Sequence, residues 1–227
     1  MKHIIILVFF ALCGVTLPLF AQNLQLHYDF GEADDGLANA GRDYFTGTFE
    51  LFKPDPMGSF FMFMDVDFNK ENKGASLAYF EIVRKITVHK KTGLAVHVEY
   101  DDGTPAYIQR AWLAGFSIPL KLAGFEWNTS LLYRANKNSQ SPDFQITLVW
   151  CQPLLQNKLL FTGFVDIWRQ DAFIPGAKHI VLLSEPQLWF VLSEHFAIGT
   201  ELEISRNFFT FDGDLEFMPT AGIKLNL

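Results

Sequence analysis

The chain has 227 residues, with 18 Lys and Arg against 25 Asp and Glu for a formal net charge of −7, and 24 of its residues are Phe. So acidic a chain lacks the basic stripe that displaces counterions from phosphates, which argues against a nucleic-acid partner. A hydrophobic fraction of 49% excludes intrinsic disorder, and two cysteines, Cys13 and Cys151, supply neither a disulfide framework nor a zinc site.

Residues 1–21 begin with the basic head Met1-Lys2-His3, continue through an apolar run from Ile4 to Val15, and end on the small Ala21 before polar Gln22. These are the parts of a secretory signal peptide, with cleavage expected after Ala21. The apolar run falls short of the ~20 residues that a spanning helix needs. Cleavage removes Lys2 and Cys13, leaves Cys151 as the sole cysteine, and leaves one domain over 22–227.

From Gln22 onward the dominant period is two, in segments rich in Val, Ile, Phe, Tyr, Trp and Thr, which is the pattern of strands with two unlike faces. Leu24, Leu26, Tyr28 and Phe30 alternate with Gln25, His27 and Asp29. Phe45, Phe49 and Leu51 oppose Tyr44, Thr46, Thr48 and Glu50, and Phe60, Met62, Met64, Val66 and Phe68 oppose Phe61, Phe63, Asp65 and Asp67. Next, Phe80, Ile82 and Ile86 oppose Tyr79, Glu81 and Lys85, and Val96, Val98 and Tyr100 oppose His97 and Glu99. A less regular segment from Trp112 to Leu122 precedes Phe125, Trp127, Leu131 and Tyr133, which oppose Glu126, Asn128, Ser130 and Arg134. Phe144, Ile146, Leu148 and Trp150 oppose Gln145 and Thr147; Phe161, Val165 and Ile167 oppose Thr162 and Asp166. Ile180 to Leu192 is again irregular, Ile198, Leu202 and Ile204 oppose Glu201, Glu203 and Ser205, and the chain closes on Ile223, Leu225 and Leu227 against Lys224 and Asn226.

This pattern predicts about twelve strands, most of roughly 10–14 residues, longer than the ~5–6 usual in soluble sheets and near the ~9–11 that cross a bilayer at a tilt. Short links at 53–58, 89–92, 122–124 and 193–195 alternate with longer polar ones at 31–41, 69–74, 101–109, 135–143, 170–178 and 207–213. An even strand count with short turns on one rim and longer loops on the other describes an all-β, antiparallel, up-and-down transmembrane barrel of the bacterial outer membrane. A soluble β-sandwich or lipocalin-like barrel would instead turn the apolar face inward. Strand length, a carboxylate near the middle of most strands, and aromatics near strand ends such as Trp112, Trp127, Tyr133, Trp150 and Phe30 favour the membrane arrangement, the last as interfacial girdles.

The segments Asp43-Tyr44-Phe45, Phe49-Glu50-Leu51-Phe52, the acidic aromatic strand from Phe60 to Asp67, Tyr79-Phe80-Glu81-Ile82, Trp112-Leu113-Ala114-Gly115 and the glycine-containing end strand Ala221 to Leu225 resemble the nucleoside-specific channel-forming (Tsx-like) outer-membrane proteins, in particular compact relatives from Bacteroidetes. The resemblance implies a monomeric twelve-stranded barrel with a narrow channel whose wall offers weak sites to nucleosides crossing by diffusion, and no cofactor or metal. The expected partners are a nucleoside-like small solute and outer-membrane lipid.

The residues themselves give a compatible chemistry. If the polar face lines a lumen, it carries Asp29, Glu50, Asp65, Asp67, Glu81, Glu99, Glu126, Asp166, Glu185, Glu201, Glu203 and Glu216 against few cations, among them Lys85, Arg134 and Lys224. Carboxylates accept hydrogen bonds from sugar hydroxyls and base amino groups, and Tyr44, Phe61, Phe63 and Tyr79 offer faces for stacking. The candidate solute-binding set is therefore Tyr44, Glu50, Phe61, Phe63, Asp65, Asp67, Tyr79, Glu81, Glu99 and Arg134. The alternative is that these groups pair with one another and fill the interior of a structural or adhesive barrel. A barrel hydrolase is the remaining option: His27 with Asp29 and His97 with Glu99 share strand faces, but no nucleophile elbow or HExxH accompanies them, and the chain is expected not to be an enzyme.

Overall fold

Strands with one apolar and one polar face also carry unpaired backbone groups along both edges, and in lipid only a closed sheet satisfies all of them. The computed structural model describes residues 21–31, 43–69, 74–104, 108–122, 124–137, 139, 141–172, 177–208 and 213–227. The described residues form strands and their connections: β1 (Ala21–Asp29), β2 (Phe45–Asp55), β3 (Gly58–Asn69), β4 (Gly74–His89), β5 (Leu94–Thr104), β6 (Ala111–Leu122), β7 (Phe125–Asn136), β8 (Asp143–Leu154), β9 (Leu159–Asp171), β10 (Lys178–Ser184), β11 (Gln187–Val191), β12 (Phe196–Arg206) and β13 (Leu215–Asn226). The leader expected at residues 1–21 lies outside the described residues apart from Ala21, where β1 begins.

Apart from β10 and β11, each strand pairs antiparallel with its sequence neighbours, and β1 pairs with β13 to close the wall. β10 and β11 occupy one position between β9 and β12. Ser184 sits opposite Val165 and Gln187 opposite Thr162, so the register is unbroken across the gap. The interruption is Pro186, which has no N–H to give a ladder. Its flanks keep the wall paired: Glu185 N–H donates to Phe164 O at 3.2 Å and Leu202 N–H to Pro186 O at 3.0 Å. The barrel therefore has twelve wall positions, the expected number, and the irregular stretch around 180–192 is one strand with a proline in it.

The two rims differ as expected. Short turns join β2 to β3, β4 to β5, β6 to β7, β8 to β9 and β11 to β12, and β1 begins and β13 ends on that same rim. Gly93, at φ 71°, closes the β4–β5 turn in a conformation that costs glycine nothing. The β8–β9 turn is different: Leu155, Gln156 and Asn157 all have positive φ (48°, 57° and 66°). That segment holds no glycine or proline, and its turn signal is Asn157, a residue that tolerates the left-handed region. In barrels of this kind short turns face the periplasm and long loops the outside.

Parity then sorts the side chains. Leu24, Met64, Ile82, Phe116, Leu131, Ile146, Ile198 and Ile223 face outward and remain 36–58% exposed, an apolar belt that belongs in lipid rather than water. Aromatics border it. Tyr100 and Trp112 (ring centroids 4.6 Å apart) and Tyr133 with Phe144 (6.3 Å) lie toward the long-loop rim, while Trp127, Trp150 and Phe161, at successive spacings of 5.4 and 5.5 Å, lie toward the turn rim. Trp150 is itself covered, because it lies over Gly163, where a Cβ would come within 2.7 Å of its ring.

An arginine at an outward mid-strand position should cost about 2–4 kcal/mol, since that side chain must desolvate in hydrocarbon. We expect Phe49→Arg, Met64→Arg and Val165→Arg to lower the temperature at which the purified barrel loses its heat-modifiable mobility on gels, and Thr48→Arg, on the opposite face, to leave that temperature much closer to wild type. The reverse ranking would mean that the two faces are assigned backwards.

Candidate functional site in the barrel lumen

The same parity turns the polar faces inward, and register stacks them into rows around the wall. Thr48, Asp65 and Tyr79 form one row; Glu50, Phe63, Glu81 and Asp101 the next; Phe52, Phe61, Val83, Glu99, Leu113 and Arg134 the one after. Nine of the ten candidate solute-binding residues therefore face the lumen from β2 to β5 and β7. Tyr44, the tenth, is buried immediately before β2, where its carbonyl accepts from Asp29 N–H at 2.9 Å. Glu50, Phe61, Phe63, Asp65, Tyr79 and Glu81 are brought together and remain partly accessible. Phe63 and Tyr79 meet edge to face at 6.1 Å. Asp67 sits nearer the long-loop rim, taking a hydrogen bond from Thr46 Oγ1 at 2.7 Å.

Opposite this flank, β9 to β12 present more acid. Asp65 lies within electrostatic reach of Glu185 and Glu201, and Glu81 of Asp166. Two carboxylate-bearing walls thus face one another across the accessible part of the lumen. With few cations between them, they make it a region of negative potential that favours cations and hydroxyl-rich neutral solutes over anions.

The other part of the interior is filled by interlocked side chains. Arg134 Nη1 donates to Asp101 Oδ2 (3.1 Å) and Gln145 Oε1 (2.6 Å), its Nε donates to Asn136 Oδ1 (2.9 Å), and its guanidinium stacks 5.0 Å from the Trp168 ring centre. Gln145 Nε2 continues the chain to Thr147 Oγ1 at 3.0 Å, and Thr147 Oγ1 to Asp166. Lys85 reaches across from β4 to Asn128 of β7. A second group surrounds Trp189, which is fully buried: Lys224 Nζ lies 4.3 Å over its ring, His27 meets it edge-on at 5.4 Å, and its Nε1–H donates to Gln187 Oε1 at 2.8 Å. Two glycines make room for this group. A Cβ at Gly199 would fall 2.6 Å from the Trp189 ring, and one at Gly222 would fall 3.0 Å from His27 Nδ1.

The histidines belong to these networks. His97 Nδ1 lies 2.8 Å from Ser117 Oγ and 3.1 Å from Ser130 Oγ, and its Nε2 lies 2.7 Å from Glu99 Oε2. The members of a hydrolytic triad are present, but His97, Ser117 and Ser130 are each at most 2% exposed, so no substrate carbonyl reaches the hydroxyls. His27 is likewise engaged, by Thr220 on one nitrogen and Gln25 on the other, both at 2.9 Å.

Sequence reasoning placed 101–109 in a loop, and here it needs correction: β5 runs to Thr104, and Asp101 is a buried lumenal residue. The signal was available, since Asp101 continues the inward series His97, Glu99. Gln145, Trp168 and Trp189 were also absent from the candidate set. Trp168 shares the parity of Asp166, so the alternation already turned it inward, whereas Trp189 lies in the irregular stretch 180–192 and only its pairing with Gly199 and Leu160 shows that it points inward.

The chain matches the family described as Domain of unknown function (DUF5020) over residues 21–227. Among solved structures it is similar to the NanC porin, with a TM-score of 0.56 at 7% identity, covering 91% of this chain and all of that one. A KdgM porin structure aligns at a TM-score of 0.48 and 7% identity over 92% of this chain and 99% of that one. No curated protein sequence matches. At such identity the NanC likeness speaks for the fold, and with the closed wall and apolar belt it places the protein in the bacterial outer membrane.

Because Arg134 and Asp101 are both nearly inaccessible, at 11% and 3% side-chain exposure, removing the arginine strands a buried charge. Arg134→Ala should destabilise the barrel by about 3–5 kcal/mol, read as a lower melting temperature of the heat-modifiable form. The further change Asp101→Asn in that background should recover part of the loss. An Arg134→Ala barrel that melts like wild type would remove this network from the account of stability.

Proposed function

The chain belongs to the DUF5020 family, and from the lumen it encloses we propose an outer-membrane channel through which small solutes cross by passive diffusion, with nucleosides as the solute class. The observation that carries this reading is the partly accessible flank on which Asp65 and Glu81 stand beside Phe63 and Tyr79. A flat base stacks on an aromatic face for about 1–3 kcal/mol, while carboxylates accept from the ribose hydroxyls. Each contact is weak enough to be left again, as conduction requires. Nucleotides, carrying phosphate, are repelled by the same acids. The resemblance to Tsx-like proteins supports the solute class and a monomeric barrel, and the wall closes within a single chain.

A second reading, an outer-membrane barrel without a conducting pore, is favoured by the burial of Trp189, Leu113 and Leu132 inside the wall, each at 1% exposure or less. Planar-bilayer recording separates the two. We expect small, cation-preferring single-channel steps that adenosine transiently blocks. The double change Asp65→Asn with Glu81→Gln, which keeps shape and removes two charges, should lower both the cation preference and the block. A folded barrel with no steps at all would support the closed reading, and steps unaffected by the double change would move the solute site elsewhere. The leader belongs to the same proposal: N-terminal sequencing of the protein purified from outer membranes should begin at Gln22.

A further inference from the structure

Ladder pairing brings three carboxylates together on the lumen wall. Glu81 of β4 lies directly opposite Asp101 of β5, and Glu99 stands two residues along the same face. One oxygen from each lies within 4.8 Å of the other two. Like charges directly opposite one another destabilise an antiparallel pair, so the grouping needs compensation, and the neighbours supply only part of it. Arg134 occupies Asp101 Oδ2, His97 occupies Glu99 Oε2, and Lys85 Nζ donates to Asn128.

A second observation is independent of the clustering. The other oxygen of Asp101, Oδ1, is buried with no hydrogen-bond partner, in a residue only 2% exposed. A carboxylate oxygen removed from water and given no donor is a site prepared for a proton or a cation.

We propose that Glu81, Glu99 and Asp101 form a binding site for a hard divalent cation of the Ca2+ class, entered from the lumen. The donor set is all oxygen, which suits Ca2+ and not the softer metals that seek thiolate or free imidazole; the His97 ring is already engaged on both nitrogens. Calcium–oxygen distances of about 2.3–2.6 Å allow ligands of one coordination sphere to stand up to about twice that far apart, and three oxygens all within 4.8 Å of one another fit that limit. Arg134, holding Oδ2, fixes the Asp101 carboxylate so that Oδ1 stays presented, the role outer hydrogen bonds play around metal ligands. Glu81 is only partly buried, so it forms the mouth of the site and water completes the coordination. The site requires no solute passage, and it stands or falls apart from the channel reading.

The test uses the full mature barrel, folded in detergent and verified by its gel mobility, titrated calorimetrically with CaCl2. One Ca2+ per chain should bind, with a dissociation constant on the order of 10⁻⁴–10⁻³ M, as for extracellular calcium modules, and should raise the temperature of the mobility transition. Asp101→Asn and Glu99→Gln should each weaken binding at least tenfold, whereas Glu216→Gln, at a lumenal carboxylate hydrogen-bonded to Ser205, should leave it unchanged. Glu81→Gln, at the accessible mouth, carries the same tenfold expectation and serves if Asp101→Asn does not fold. Absence of binding to the wild-type barrel overturns the proposal and assigns a proton to Asp101 Oδ1. Equal binding by wild type and all three site variants overturns it as well, by moving the cation elsewhere.

Discussion

The structure depends on the closure of one backbone ladder. In hydrocarbon an unpaired N–H or C=O has no water to turn to, at a cost of several kcal/mol per group, and β1 removes both sheet edges by pairing with β2 on one side and β13 on the other. Antiparallel neighbours, turns of a few residues on one rim and chain ends on that same rim all follow from it. The constraint is visible where it is strained. Pro186 cannot donate, yet the wall stays whole because its carbonyl still accepts from Leu202 and the Glu185 N–H still reaches Phe164.

Closure fixes parity, and parity forces chemistry. Every second residue must meet lipid, so the intervening ones inherit an interior in which charge is tolerated only when paired or wet. Twelve strands enclose more room than the eight that side chains just fill, and less than the sixteen or more of open aqueous channels. The interior reflects that intermediate size. Arg134, Trp168 and Trp189 occupy one part, held by the side-chain amides of Gln145, Gln170 and Gln187, with Trp189 seated on Gly199, while the flank bearing Asp65, Tyr79 and Glu81 keeps some access.

Electrostatically the two parts answer to different needs. In the filled part each cation is engaged: Arg134 binds Asp101, Lys224 stacks on Trp189, and Lys85 spans to Asn128. On the accessible flank carboxylates face carboxylates, which makes poor cement and a coherent field for a passing or resident positive charge. The Glu81, Glu99 and Asp101 group lies where the two meet, with Arg134 on one side and the lumen on the other.

The sequence by itself determined the number of strands, the two faces of nearly every strand, the contrast between the rims and the inward placement of the acidic residues, because alternation at period two is a local property that survives without knowledge of partners. What it left undecided depended on register. Trp189, in the irregular stretch 180–192, has the same composition signal as Trp112 and Trp127, and only pairing with Gly199 turns it inward. The β8–β9 turn at Leu155 to Asn157 carries only a single turn residue, Asn157, without glycine or proline beside it. Asp101, read as loop, became a buried lumenal carboxylate because the ladder with Glu81 extends past Tyr100. Which three acids converge is set by the register of the neighbouring strands β4 and β5, and which acids face one another across the lumen depends on strands far apart in the chain, whose distances closure of the wall sets.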